Sequence, residues 1–226
     1  MSAEDAAEVT LAGARLMALP SGALHWPARG LLAAADLHLG RAARDARGGG
    51  ALLPPYEARE TLTRLAGDLQ RTGARTLVLL GDSFDSEAAA AELDAAAHEA
   101  LMTLAAGRRV IWIAGNHDPG PVGLPGTHMA DWRAGSLSFR HIADPAAPAG
   151  EMSGHYHPKL RLSRAGRPLS RRCFLTDGRR MILPAYGAYA GGLHAGEAPL
   201  TALIARPATA ILTGTRARPV RLGRSR

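Results

Sequence analysis

Three short apolar runs, Leu31–Ala35, Leu77–Leu80 and Val110–Ala114, constrain this chain more than any other feature. Each has four or five residues without polar alternation, too few for a helix and too uniformly apolar for a strand with one wet face. That pattern belongs to parallel strands covered on both sides. The intervening segments supply the covers. Pro54-Pro55 opens a helix in which Leu62, Leu65 and Leu69 repeat at helical spacing, with Gly73 as its C-terminal cap. The Ala-rich stretch 87–106 places Leu93, Leu101 and Leu104 on one side and reads as a second helix ending at Gly107. The rhythm strand–helix–strand–helix–strand predicts an α/β fold.

The first 30 residues read as short strands turning at Gly13 and Pro20-Ser21-Gly22. Beyond residue 118 glycine and proline become frequent. Short candidate strands lie at 136–140, 160–163, 172–175, 180–183 and 200–204. These predict a second, mostly antiparallel sheet completing one domain over residues 1–205, followed by a basic C-terminal strand or tail, 206–226. A chain of 226 residues closes a core without disulfides, and the lone Cys173 suits a reducing cytosol as a small buried residue. No run reaches the length of a membrane helix, and the acidic start MSAEDAAEVT lacks the basic, apolar character of a signal peptide. The expectation is a cytoplasmic protein with no membrane partner.

Each apolar run stops on a polar cluster, where open α/β sheets bind ligands. The clusters are Asp36-Leu37-His38, Gly81-Asp82-Ser83-Phe84-Asp85 and Gly115-Asn116-His117-Asp118, joined later by Gly154-His155-Tyr156-His157. Ordinary turn chemistry accounts for Asp, Asn and Gly at strand ends, but it leaves the His-x-His pair unexplained. His25, His98, His128 and His194 stand outside such clusters and read as ordinary surface or helix residues. Carboxylates and imidazoles without thiolates suit Mn²⁺, Fe or Zn²⁺, whereas an all-oxygen set would suit Mg²⁺ or Ca²⁺. On an extended segment His155 and His157 face the same side and reach two adjacent ions. Asp82 is the candidate carboxylate to bridge them.

The ordered series DLH, GDSFD, GNHD and GHYH resembles the calcineurin-like metallophosphoesterase signature over residues 31–158. The resemblance implies an αββα sandwich of two mixed β-sheets flanked by helices. It also implies two divalent ions, with Mn²⁺ expected and Fe, Zn²⁺ or Mg²⁺ as alternatives. Asp36, His38 and His157 would hold one ion, with Asp82 bridging; Asn116, His141 and His155 would hold the second. His141 ends the short run 137–140, where the superfamily usually supplies its isolated histidine, with His128 as the competing residue. His117 would protonate the departing alkoxide during in-line attack by a hydroxide that the ions supply, and Asn116 would also contact the phosphoryl group. Asp85, or alternatively Asp118, would orient His117.

A narrower likeness covers residues 31–56 and 181–193, which are similar to the ligase-associated DNA damage response endonuclease family, PdeM. It implies a manganese-dependent phosphodiesterase and DNA endonuclease of bacterial DNA repair, acting on single-stranded or flapped DNA, in functional association with a DNA ligase and a helicase. The alternative is a phosphodiesterase or phosphomonoesterase of small nucleotides or other small phosphoesters. Two positions depart from the family pattern: Arg41 stands where lysine is expected, and a His-Asp pair is missing after Phe84. Arg41, Arg44 and Arg47 form either a phosphate-binding rim or a solvated basic loop. Tyr186 and Tyr189 either stack on bases or pack in their Gly-rich loop.

The net charge of +7 gives an independent hint of a polyanionic partner. Six arginines beyond Glu197, at 206, 216, 218, 221, 224 and 226, carry nearly all of it. They form either a DNA-holding arm or an unstructured end.

Overall fold

Apolar strand pattern and turn chemistry generate two stacked sheets. A computed structural model describes residues 5–41, 56–120, 123–164, 166–188 and 190–223. Gly13, at φ +80°, turns β1 (Ala7–Leu11) into β2 (Ala14–Ala18), and β3 (Leu24–Trp26) follows. Next come β4 (Leu31–Ala34), α1 (Glu57–Thr72), β5 (Thr76–Leu80), α2 (Glu87–Ala91), α3 (Ala95–Ala105), β6 (Arg109–Ile113) and β7 (Thr127–Met129). The first sheet has the order β1-β2-β3-β4-β5-β6-β7, antiparallel to β4 and parallel from β4 onward.

The second sheet contains β8 (Asp131–Ala134), β9 (Leu137–Arg140), β10 (Glu151–Ser153), β12 (Arg167–Thr176), β13 (Arg180–Ile182), β14 (Ala208–Leu212) and β15 (Arg218–Leu222). Its order is β15-β14-β12-β13-β10-β9-β8, with β11 (Lys159–Arg164) paired to β12 off that path. Four neighbouring pairs along this order are antiparallel, whereas β9, β10 and β13 run parallel.

The uninterrupted apolar runs work as the sequence implies, because alternate residues serve different cores. Leu31, Ala33, Val78, Leu80, Ile111 and Ile113 face inward and meet Phe139, Met152, Phe174 and Met181 of the second sheet. Leu32, Ala34, Leu77, Leu79, Val110 and Trp112 face outward and pack on Leu62, Leu65 and Leu69 of α1 and Leu101 and Leu104 of α3. The outer face of the second sheet, with Leu175, Ile182 and Ala210, is covered by α4 (Leu200–Leu203). The layers are therefore α-β-β-α, two mixed sheets flanked by helices.

Two expectations are corrected. Stretch 87–106 is two helices, because Ser86 and Asp94 each accept an amide hydrogen bond (from Ala89 and Ala97) and cap separate helical starts. Run 200–204 is helical: Leu200, Leu203 and Ile204 share one buried cluster at helical spacing, and four apolar residues do not distinguish strand from helix by themselves. The C-terminal residues up to Leu222 form β14 and β15, antiparallel neighbours at the sheet edge. Arg224 and Arg226 lie outside the described residues.

Candidate metal centre

The carboxyl ends of β4, β5 and β6 lie side by side, so Asp36, Asp82 and Asn116 emerge at one edge of the first sheet. Beyond the strands, Asp36, His38 and Leu39 donate backbone N–H to the oxygens of Gly81, Asp82 and Ser83. The second sheet delivers His141 after β9, and His155 and His157 after β10. Six non-glycine residues among those described have positive φ, and five of them are expected ligands: Asp36 (+54°), His38 (+47°), Asp82 (+45°), His155 (+68°) and His157 (+47°). Left-handed backbone of this kind concentrates at functional sites.

Seven expected ligands gather here, in two groups. The donor atoms of Asp36, His38 and His157 lie within 4.8 Å of one another, as do those of Asp82, His141 and His155. In the first group, His157 Nε2 is 3.3 Å from both Asp36 Oδ1 and His38 Nε2. In the second, His141 Nε2 is 2.9 Å from Asn116 Oδ1, 3.3 Å from Asp82 Oδ2 and 3.2 Å from His155 Nδ1. Asp36 ties the groups together by accepting the His155 N–H on both carboxylate oxygens, at 3.1 and 3.0 Å.

The donor set fits divalent cations. Leu80 O only accepts, so the 2.9 Å bond from His141 Nδ1 fixes that nitrogen as the protonated one. In the neutral ring Nε2 then aims a lone pair at two oxygens and a second imidazole nitrogen. Such a convergence needs a positive charge, which a proton on Nε2 or a bound cation supplies. Electrostatics agree: burial opposes ionising Asp82, but His141's hydrogen bond and charge, the His117 amide and His38 hold its pKa down to about 2. Burial also opposes charging His141, and the Asp82 hydrogen bond with the charges of Asp36 and Asp82 outweighs it, raising its pKa.

The same architecture has been solved for a nuclease. The chain is similar to the crystal structure of Pseudomonas putida nuclease MPE, with 28% identity and a TM-score of 0.75 over 95% of this chain and 100% of that one. No protein-family model and no curated protein matches the sequence.

His117 stands beside the first group, its ring centroid 5.4 Å from that of His38. Its N–H is 2.9 Å from Asp82 Oδ1, and its Nδ1 is 3.0 Å from the main-chain oxygen of Asp85. This corrects the role read for Asp85. The contact to His117 comes from the Asp85 backbone, while the Asp85 carboxylate places Oδ1 3.5 Å from Nδ1 of His38, an expected ligand. Asp118 does not hold His117 by its side chain either. Its Oδ2 accepts the amides of Ser83 (2.8 Å) and Phe84 (3.1 Å) and fixes the turn carrying Asp82 and Asp85.

The His-x-His reading also needs correction. His157 enters the first group and His155 the second, the division read for them, but both have left-handed backbone, so extended-strand alternation is not what aims them. His128 stacks on Trp112, with interplanar angle 8°, and takes no part in either group. Arg41 follows the first group half-buried, its N–H donating to His38 O; Arg44, Arg47 and Tyr189 lie outside the described residues. Tyr186 is wholly buried and donates its hydroxyl hydrogen to Asp68, so it packs and does not stack on bases.

Sequence reasoning missed the supports. Arg172 donates to the carbonyl oxygens of Ala185, Gly187, Ala188 and Ala190, clamping a loop whose Gly187 N–H bonds Asp36 O. An arginine entering a buried strand beside Cys173 was the available signal. A Cβ on Gly81 would overlap the His141 ring, and one on Gly154 would overlap the Asp36 carboxylate. The glycine preceding Asp82 and the one preceding His155 are thus spatial requirements of the centre.

Proposed function

We propose that this chain is a dinuclear, metal-dependent phosphodiesterase that cleaves DNA as an endonuclease, with Mn²⁺ as the working ion. The observation carrying this reading is the pair of donor groups, Asp36/His38/His157 and Asp82/His141/His155, joined through Asp36 and His155. The likeness to a solved nuclease along the whole fold supports it. Asn116 adds its amide oxygen to the second group, and Asp82 is the carboxylate between the two. Two divalent ions, once bound there, supply Lewis acidity and lower the pKa of water.

The protein's own residues do the rest. His117, donating from Nδ1 to the Asp85 carbonyl, carries a second proton on Nε2 when charged. That proton is the one given to the departing alkoxide. Asn116, the exposed ligand, also contacts phosphoryl oxygens, and Arg41 supplies positive charge beside the first group. The PdeM-like segments support a cytosolic role in bacterial DNA repair beside a ligase and a helicase.

A metal-by-substrate panel tests the proposal: Mn²⁺, Fe²⁺, Zn²⁺ and Mg²⁺ against a chromogenic diester, a monoester, and single-stranded, flapped and duplex DNA. Diester and DNA cleavage should both require metal and vanish in Asp82→Ala and His155→Ala. Intact turnover in either variant would overturn the dinuclear reading. His117→Ala should keep its metal and lose rate, most on esters with poor leaving groups. Diester turnover that DNA fails to inhibit at low salt would transfer the same chemistry to a small phosphoester.

A further inference from the structure

The β11–β12 hairpin leaves the metal centre directly. Its first residue, Lys159, stands two positions after His157, and its base is pinned by Lys159 N–H to Leu193 O (2.8 Å) and Cys173 N–H to Pro158 O (2.9 Å). Residues 167–172 of β12 pair with β11 alone, and only from Cys173 onward does β12 join β14. Residues 159–172 are therefore a two-stranded ribbon projecting past the main sheet.

Its composition is one-sided. Lys159, Arg161, Arg164, Arg167, Arg171 and Arg172 make six of its fourteen residues basic, and none is acidic. The chain as a whole has 27 basic residues in 226, so an arginine-rich genome does not by itself produce this density. The register places like charges directly opposite each other at the ribbon's base, Lys159 against Arg172. Such pairs destabilise a ladder, and an isolated ribbon is marginal already.

Little neutralises the charge from within. Arg172 spends its guanidinium on loop carbonyls, and Arg161 meets exposed Glu197 at 3.4 Å. Arg167 and Arg171 are exposed and pair with no carboxylate among the described residues. The basic ground continues sideways: the register Cys173–Leu212–Arg218 sets exposed Arg218 two strands from the ribbon's base, about 10 Å away.

We infer that the β11–β12 ribbon is a DNA-backbone arm, holding the strand that runs out of the metal centre through Arg167 and Arg171, which share one face of the ribbon, with Arg218 beside them on the same face. The inference deepens the DNA reading of the proposed function and rests on it. Six residues of β11 span about 20 Å, roughly the run of six phosphates along one B-form strand. The arm reads no bases; it supplies phosphate contacts that fix register.

The test measures binding of a fluorescein-labelled oligothymidine by anisotropy in EDTA, where no cleavage intervenes. Arg167→Gln/Arg171→Gln is compared with Arg75→Gln/Arg108→Gln, which removes equal charge at the amino ends of β5 and β6, the opposite edge of the first sheet. The arm variant should bind about 10- to 30-fold more weakly near 0.1 M salt, and its log–log salt slope should fall by about 1.4. The control pair should shift binding less than about twofold. Equal weakening in both pairs, or none in the arm pair, overturns the arm. Should the arm variant lose its unfolding transition, Arg167→Lys/Arg171→Lys takes its place, with wild-type affinity and slope expected and loss of either refuting the inference. Salt-dependent binding without hydrolysis of any ester would sink the phosphodiesterase proposal and leave the arm standing.

Discussion

Asp85→Asn separates two roles that one residue divides between backbone and side chain. Asp85 is 1% exposed, with Oδ1 3.5 Å from His38 Nδ1. The other nitrogen of that ring, Nε2, lies in the first donor group, 3.3 Å from His157 Nε2. A carboxylate behind a ligating histidine fixes its tautomer and raises its basicity, and losing one typically costs 10- to 100-fold in metal affinity. At 3.5 Å the contact is at the long limit for a hydrogen bond, so the lower end applies: about 10-fold, or ~1.4 kcal/mol. Asparagine keeps the shape and leaves the main-chain oxygen facing His117 Nδ1 at 3.0 Å. Calorimetric titration with Mn²⁺ should therefore show the first site weakened about 10-fold, while kcat on a chromogenic diester recovers to within about threefold at saturating Mn²⁺. The pH profile of kcat should keep its shape. Unchanged Mn²⁺ affinity with a kcat that saturating metal cannot restore would refute this, and would return the carboxylate to His117.

Asp118→Asn should gain stability on the wild type as pH rises. Burial above all, with the charge of Asp82, raises the Asp118 carboxyl to about 6, against an unfolded value of about 3.9. The folded state thus binds this proton more tightly, and the stability it contributes is complete below about pH 4 and lost as pH rises through 6. Urea unfolding in EDTA should show the variant gaining up to about 3 kcal/mol between pH 4 and 7; parallel curves would refute it. Gly81→Ala places a methyl group against the His141 ring at a φ of +74°. It should lose the second metal and keep the first, read as one equivalent of Mn²⁺ after gel filtration, and two retained equivalents would refute it.

Legibility in the sequence followed the range of the forces involved. Asp36, Asp82 and Asn116 were readable because each follows an apolar run, and adjacent parallel strands must bring those ends together. His141 has no local motif; its place depends on β9 pairing in parallel with β10, a contact that no neighbouring residue announces. Asp85 was readable as a functional position, but its direction was not. In a turn held by Asp118, side-chain aim depends on amide bonds 34 and 35 residues away in sequence. The basic C-terminal end read as either strand or tail because arginines alternate there with small residues and proline; the edge strand β15 has one neighbour and so needs little apolar surface.

The backbone of the centre implies how the site and core depend on each other. Five ligands in left-handed conformation cost about 1–2 kcal/mol each, a sum comparable with the whole stability of an ordinary domain. No single element can hold that strain, and none is asked to. Leu80, Phe139 and Met152 precede Asp82, His141 and His155 by two or three residues, and all three are buried in the one cluster shared by both sheets. Sheet-on-sheet packing therefore sets the distances within each donor group, because each combines residues from both sheets. Ions bound between them stabilise the folded chain further, by RT ln(1 + [M]/Kd). A cavity made by Phe139→Ala should consequently appear twice, as lost stability and as weaker metal binding. Metal in excess should therefore add less stability to that variant than to a surface variant, because RT ln(1 + [M]/Kd) falls as Kd rises and at Phe139 alone of the two the lesion lies on the strand that leads into His141.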